Sequence, residues 1–83
     1  MTTHPALPVA GYAPQSDEKV ALANEGKALE ERYLRWLDKL RATEGIDQRC
    51  VSLAHTHIQT GAMFAIRSIF NPTRIGLPED VNE

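Results

Sequence analysis

Hydrophobic residues recur at alternating steps of four and three along residues 22–40. This spacing is typical of one face of a long amphipathic α-helix. Ser16 is the predicted N-cap. Asp17 and Glu18 follow it in the first turn, where the helix dipole favours negative charge. We expect Gly45 to end the helix in a left-handed conformation, after about 28 residues. The stripe consists of Leu22, Gly26, Leu29, Tyr33, Trp36 and Leu40, with Leu34 and Leu37 widening it.

A second helix is predicted after a short connection. Asp47 is its expected N-cap, and Ile46 and Val51 have the spacing of a hydrophobic staple. Asn71 and Pro72 should end the helix near residue 70, because a residue before proline avoids the α region. A partner helix could approach its apolar face closely, since that face is rich in small residues. The apolar positions are Val51, Ala54, Ile58, Ala62, Ala65, Ile66 and Ile69.

The segments outside these helices are short. Residues 1–15 contain three of the five prolines as well as Gly11, so we expect an extended N-terminal arm that is not helical. Residues 16–83 form the helical domain in this interpretation, with a short, loose, turn-rich tail from Thr73. The predicted fold is all-α, an antiparallel two-helix hairpin with an extended arm.

Size predicts that the hairpin does not act alone. The chain has 83 residues, and domains this small bury only about 60% of their unfolded surface. The apolar stripe on the first helix, with its flanking leucines, is also wider than one neighbouring helix can cover. We therefore expect a compact homo-oligomer.

Charge and composition exclude several classes of function. The net charge of −2 argues against a protein that coats DNA or RNA, which needs a broad basic face. The sequence contains no run of eighteen apolar residues, so we expect no membrane span. Residues 1–14 lack the basic and apolar segments of a secretion signal. The single cysteine, Cys50, excludes an internal disulfide and fits a reducing cytosol. The expectation is a soluble, intracellular protein without a membrane partner.

Catalytic and metal-binding arrangements are not evident. His55 and His57 are two residues apart, so on a helix they point about 200° apart and cannot hold one metal ion within a single chain. Cys50 and His55 are loosely spaced for a thiolate and its base. Glycine-rich phosphate loops are absent. We therefore expect that the protein is not an enzyme and that it has no catalytic residues, metal ion or cofactor.

Two features nevertheless indicate a binding site. Tyr12 places a large ring in the arm, where it either anchors the arm on the helices or offers a stacking surface to a nucleobase. Gly26 lies inside a helix at a cost of about 1 kcal/mol relative to alanine, which marks the close approach of a partner helix or a ligand. Lys27, the next residue, either meets a phosphate or simply pairs with Glu30 or Glu31.

The order of these motifs resembles a known family, the phage-encoded sponge proteins that counter CBASS immunity. The similarity covers roughly residues 10–75. It rests on Gly11-Tyr12 in the arm, Asn24-Glu25-Gly26-Lys27 in the first helix, Gln59-Thr60-Gly61 and Arg67 in the second helix, and Asn71-Pro72 at its end.

The resemblance implies a function. Such sponges are small helical chains that form interlocked hexamers, catalyse nothing, and hold cyclic oligonucleotide signals in the cytoplasm of the infected bacterial host. It implies that cyclic dinucleotides such as cGAMP bind between protomers, with Tyr12 on a base and Lys27, beside Gly26, at a phosphate. Cyclic trinucleotides bind in separate pockets, for which Arg67 is a candidate.

Two alternatives stay open at this point. The related sponges that counter Thoeris immunity capture cyclic ADP-ribose signals. A structural or adaptor hairpin would instead use Tyr12, Gly26 and Lys27 only to join protomers.

Overall fold

The computed structural model describes residues 3–6 and 9–80, which form two short strands and two long helices. In chain order these are β1 (Thr3–His4), β2 (Gln15–Ser16), α1 (Asp17–Arg41) and α2 (Gln48–Phe70). The helices pack against each other as a hairpin, which confirms the predicted helical architecture. Residues 1, 2, 7, 8 and 81–83, which the predicted arm and tail included, lie outside the described part.

The predicted start of α1 is confirmed, but its predicted end is wrong. The Ser16 hydroxyl accepts a hydrogen bond from the Lys19 N–H at 3.3 Å and caps the helix. At the other end the helix stops at Arg41, with Ala42 as its C-cap. Gly45 has φ +85° but lies beyond that cap, in the connection to α2.

Side chains explain why α1 ends before the glycine. The Thr43 hydroxyl donates to the Lys39 carbonyl at 2.6 Å, and the Gln48 amide donates to the Leu40 carbonyl at 3.1 Å. These bonds satisfy two of the last carbonyls of the helix, a role that a glycine cap would otherwise serve. The connection to α2 therefore begins earlier than the glycine alone predicts.

Both predicted ends of α2 are confirmed. The Asp47 carboxylate accepts hydrogen bonds from the N–H groups of Arg49 and Cys50 at 3.0 and 3.2 Å. Asn71 adopts a left-handed conformation with φ 51° and ψ 56°, and its N–H donates to the Arg67 carbonyl at 2.7 Å. The chain then leaves the helix at Pro72.

The described part of the arm contains no helix and folds back on itself. β1 pairs antiparallel with β2, with Thr3 opposite Ser16 and His4 opposite Gln15. A turn at Gly11, whose φ is +92°, reverses the chain between the strands. Glycine reaches such values at no steric cost, so the residues that exclude helix also permit the reversal.

The tail is also held more closely than predicted. The Thr73 N–H donates to the Gly11 carbonyl at 2.8 Å, and a Cβ at Gly11 would overlap the Thr73 carbonyl oxygen. Further along, the Asp80 side chain accepts from the Leu77 N–H at 2.8 Å and closes a turn. The arm and the start of the tail therefore support each other at the open end of the hairpin.

The core inside one chain is very small. Among the described residues only Ala23, Leu37 and Val51 are buried apolar side chains. The molecule measures 63 × 37 × 16 Å, and its radius of gyration of 18.1 Å exceeds the value of about 12 Å for a compact domain of this length. No helix in the described part of the chain is long and apolar enough to cross a membrane.

Most of the predicted apolar stripe lies outside this core. Leu29 is 63% exposed and Trp36 51%, whereas Leu37, placed at the edge of the stripe by its spacing, is only 2% exposed. α1 therefore packs the edge of the stripe that carries Leu37 toward α2 and leaves most of the stripe exposed.

Candidate functional site

A groove of about 390 Å³ opens where the arm meets the two helices. We call it the tyrosine groove. Its volume is at the lower end of the range of about 300–1,000 Å³ found for small-molecule sites. Its walls include Tyr12 from the arm, Lys27 and Glu30 from α1, and Met63, Arg67 and Phe70 from α2.

Backbone and amide contacts on both sides of Tyr12 fix its position. On one side the Gly11 carbonyl accepts from the Thr73 N–H. On the other, the Gln15 amide donates to the carbonyls of Ala13 and Phe70 at 2.9 and 3.4 Å. Because these neighbours hold the arm, the half-buried ring is available to line the groove. Anchoring and stacking are thus compatible functions of one short segment.

Lys27 pairs with Glu30, the simpler of the two outcomes left open by the sequence. Its Nζ lies 3.0 Å from Oε1 of Glu30, and the Lys27 side chain is 63% exposed. The Glu30 side chain is only 11% exposed, so its carboxylate forms part of the groove wall. Glu31 instead pairs with Arg35 at 2.9 Å on the outer surface.

Arg67 lines the same groove as Tyr12 and Lys27. The resemblance suggested Arg67 for a separate pocket, but within one chain these three residues come together. Its guanidinium makes no ion pair or hydrogen bond with the residues that the structure describes. Two cations and one carboxylate therefore give the groove a local charge of about +1, although the whole chain is acidic.

Gly26 does not share this groove. It lines a second groove of about 350 Å³, which we call the glycine groove, together with Leu29, Tyr33, Gly61 and Ala65. A Cβ at Gly26 would lie 3.8 Å from Cγ1 of Ile66, an ordinary contact. Nothing within one chain therefore requires a glycine at this position.

Several residues of the tyrosine groove were not predicted from the sequence. Glu30 was expected only as a possible partner of Lys27, and Met63 and Phe70 were not singled out. A usable signal was present, because Met63, Arg67 and Phe70 are four and three residues apart on α2 and so share one side of the helix. That side was not predicted because the smaller apolar residues of α2, from which its apolar face was assigned, lie on a different side of the helix.

Cys50 is hydrogen-bonded to the residue that caps α2. The Cys50 thiol donates to Oδ2 of Asp47 at 3.3 Å, and this hydrogen bond together with the carboxylate charge raises the pKa of the thiol. A thiol with a raised pKa is a poor nucleophile at neutral pH. In residues 3–6 and 9–80, no three His, Cys, Asp or Glu side chains are grouped so that they could hold a metal ion.

Comparison with known proteins gives one finding. The family model described as Acb2/Tad1, hairpin domain, matches residues 5–70, which include the arm from Pro5 onward, both helices and every residue named above in the tyrosine groove. Searches of curated proteins and of solved structures gave no match. The matched segment spans most of the chain and confirms the resemblance seen in the motifs. The chain therefore belongs to the Acb2/Tad1 family, the sponges that counter CBASS and Thoeris immunity.

Proposed function

We propose that this protein sequesters cyclic dinucleotide immune signals such as cGAMP, and that it thereby blocks the activation of CBASS effectors in the cytoplasm of an infected bacterial host. The observation that carries the proposal is the tyrosine groove, in which a ring and two cations, Tyr12, Lys27 and Arg67, line one opening. Its family supplies the broader activity, the capture of cyclic oligonucleotides.

The chemistry of the groove suits such a ligand. A cyclic dinucleotide carries two phosphates and two base faces. Aromatic stacking contributes about 1–3 kcal/mol per base and needs no fixed hydrogen-bond pattern, which is the part we assign to Tyr12. Lys27 and Arg67 would each meet a phosphate, Arg67 through the paired N–H groups of its guanidinium. Glu30 would be displaced from Lys27 or would accept from a base.

Capture without chemical change is part of the proposal. The ligand would be held stoichiometrically and released intact. The groove is open and shallow in one chain, so a second copy would be needed to cover the ligand. We accordingly propose a homo-oligomer, with a hexamer as the expected assembly and cyclic trinucleotides as a second class of ligand.

Thermal denaturation with a panel of ligands tests this function. At a free concentration of 100 times the dissociation constant, a ligand stabilises the folded state by about 2.7 kcal/mol. For a domain of this size we expect Tm to rise by roughly 10 °C or more with cGAMP, and not with GTP. The panel includes a cyclic trinucleotide and a cyclic ADP-ribose isomer. A shift with the ADP-ribose isomer alone would assign the protein to Thoeris signals, and no shift at all would favour an adaptor.

Chromatography of the bound ligand separates storage from hydrolysis. The protein is incubated with cGAMP for hours and then heated, and the released material is compared with untreated cGAMP. Full recovery of intact cGAMP is expected. A linear dinucleotide in the released fraction would contradict the sponge mechanism.

A further inference from the structure

A row of charged side chains follows the outer side of α1 at intervals of seven residues. It consists of Glu18, Glu25, Arg32 and Lys39. All four are exposed, and their side chains make no ion pair or hydrogen bond with the residues that the structure describes. Other charges on the helix do find partners, as Glu31 and Arg35 show. The row is acidic in its first half and basic in its second half.

The row borders the uncovered apolar stripe. Leu22, Leu29 and Trp36 recur every seven residues and are 52%, 63% and 51% exposed. Gly26 and Tyr33 lie four residues after the first two of these, which completes the two apolar positions of a coiled-coil seam. The opposite border of the stripe, formed by Ala23 and Leu37, is already buried in the chain. An additional helix on the stripe would therefore meet this charged row on its open side.

We infer that a second copy of this chain packs on the stripe, with the two α1 helices antiparallel across a two-fold axis. In this arrangement Glu18 of one copy faces Lys39 of the other, and Glu25 faces Arg32. One alignment satisfies both pairs, because both are centred between Ala28 and Leu29. A parallel arrangement would bring the two acidic halves to the same end, where like charges repel.

The same alignment accounts for the glycine inside α1. It places Gly26 of one copy level with Glu31 of the other, so that the glycine lies between Leu29 and Tyr33 on the facing helix. Within one chain nothing requires a glycine, since a Cβ would be 3.8 Å from its nearest neighbour. Across the two-fold axis, the missing side chain makes room for a leucine. Tyr33 is held for this packing by an edge-to-face contact with Trp36, with ring centroids 5.5 Å apart.

This inference takes self-association from the proposed function and adds the surface, direction and alignment. The pairing face carries the glycine groove, and Gly26 lies about 100° around α1 from Lys27 in the tyrosine groove. Pairing and ligand binding therefore depend on different residues. Substitutions can therefore be directed at either set of residues, and both assembly and cGAMP binding are measured for each variant.

Charge reversal at the central pair tests the alignment. Sedimentation velocity is compared for the full chain and for Glu25→Arg, Arg32→Glu and the double variant E25R/R32E. Each single change sets like charges against each other twice per pair of copies, so we expect self-association to weaken by about tenfold. The double variant exchanges the charges and should recover it, as should an equimolar mixture of the two single variants. The loss should shrink in 1 M NaCl, where the Debye length falls to about 3 Å.

Matched controls change the same charge elsewhere. Asp38 lies about 100° around α1 from Lys39, outside the row, and Arg49 lies at the start of α2. Both positions are exposed, so Asp38→Arg and Arg49→Glu should leave assembly unchanged. Circular dichroism establishes that every variant keeps its helices. Failure of both the double variant and the mixture to recover association would overturn the inference.

Calorimetry with cGAMP separates this inference from the proposed function. Variants that assemble like the wild type while cGAMP still binds would overturn only the alignment. A chain that stays monomeric at all concentrations would overturn the alignment and the proposed assembly together. In that case binding of cGAMP to the monomer would still support sequestration, and its absence would contradict it.

Discussion

The ammonium of Lys27 lies 3.0 Å from a carboxylate oxygen of Glu30, a side chain that is only 11% exposed. A phosphate that enters the tyrosine groove has to compete with this carboxylate for the same cation. The pair therefore limits how strongly Lys27 can attract an anion.

Glu30→Gln should strengthen cGAMP binding, because it removes the competing charge and keeps a side chain of similar size. We expect the dissociation constant to fall by about threefold to tenfold in isothermal titration calorimetry. Glu31→Gln is the matched control, since Glu31 pairs with Arg35 outside the groove and should not affect binding. Weaker binding by Glu30→Gln would instead show that the carboxylate accepts a hydrogen bond from the ligand.

Tyr12→Ala should weaken cGAMP binding by about tenfold to a hundredfold, because stacking on an aromatic ring contributes about 1–3 kcal/mol per base. Tyr12→Phe keeps the ring face and should bind nearly as well as the wild type. Titration calorimetry compares the two variants. Equal losses in both would mean that the hydroxyl, rather than the ring, makes the contact.

Arg67→Ala tests whether one groove or two receives ligands. Since Arg67 lines the same groove as Tyr12, we expect its removal to weaken cGAMP binding by about tenfold or more. Arg67→Lys keeps the charge and should recover part of the affinity. A variant that loses only cyclic trinucleotide binding would support the separate pocket instead.

Gly26→Ala should stabilise the isolated chain and weaken pairing. Alanine is favoured over glycine in a helix interior by about 0.8–1 kcal/mol, and a Cβ at Gly26 makes only an ordinary contact within the chain. Gly61→Ala is a control for helix stability within the chain, because a Cβ there meets nothing within 4 Å. At protein concentrations too low for pairing, both variants should raise Tm by roughly 4 °C or more. At higher concentrations Gly26→Ala should associate less than the wild type.

Acid should weaken the start of α2 through Asp47. Hydrogen bonds from Cys50, chiefly from its N–H and to a smaller extent from its thiol, lower the pKa of the Asp47 carboxyl from its ordinary value of 3.8. Because the folded-state pKa is the lower one, the stabilisation is fully present above the ordinary value and is lost as pH falls through the folded-state value. Asp47→Asn keeps a cap acceptor that does not titrate. Urea denaturation between about pH 5 and pH 2 should therefore show a smaller loss of stability in Asp47→Asn than in the wild type.

Much of the fold could be predicted because its signals are local. A cap such as Ser16 or Asp47 is satisfied by the N–H groups two or three residues later, so a short window of sequence identifies it. The end of α1 was mispredicted for a related reason. The Gln48 amide reaches back across the connection to Leu40, and that bond cannot be inferred from the glycine alone.

The candidate site could be predicted only in its individual residues. Tyr12 and Lys27 were proposed from their types and positions, but their common groove depends on the folded arm, which is held by a bond between Gly11 and Thr73, 62 residues apart. The spacing of apolar residues along a helix cannot predict a contact between residues so far apart in the sequence. Glu30 was expected only as a partner for Lys27, because their spacing is ordinary for a helix, and its burial arises only when α2 packs beside it.

A body only 16 Å across at its narrowest, little more than one helix diameter, has no interior in which a small molecule could be enclosed. If neighbouring subunits cover a bound ligand, the ligand can dissociate only after those subunits separate. The residence time of the captured messenger would then follow the lifetime of the assembly, and dilution of the protein would speed release even though the groove itself had not changed.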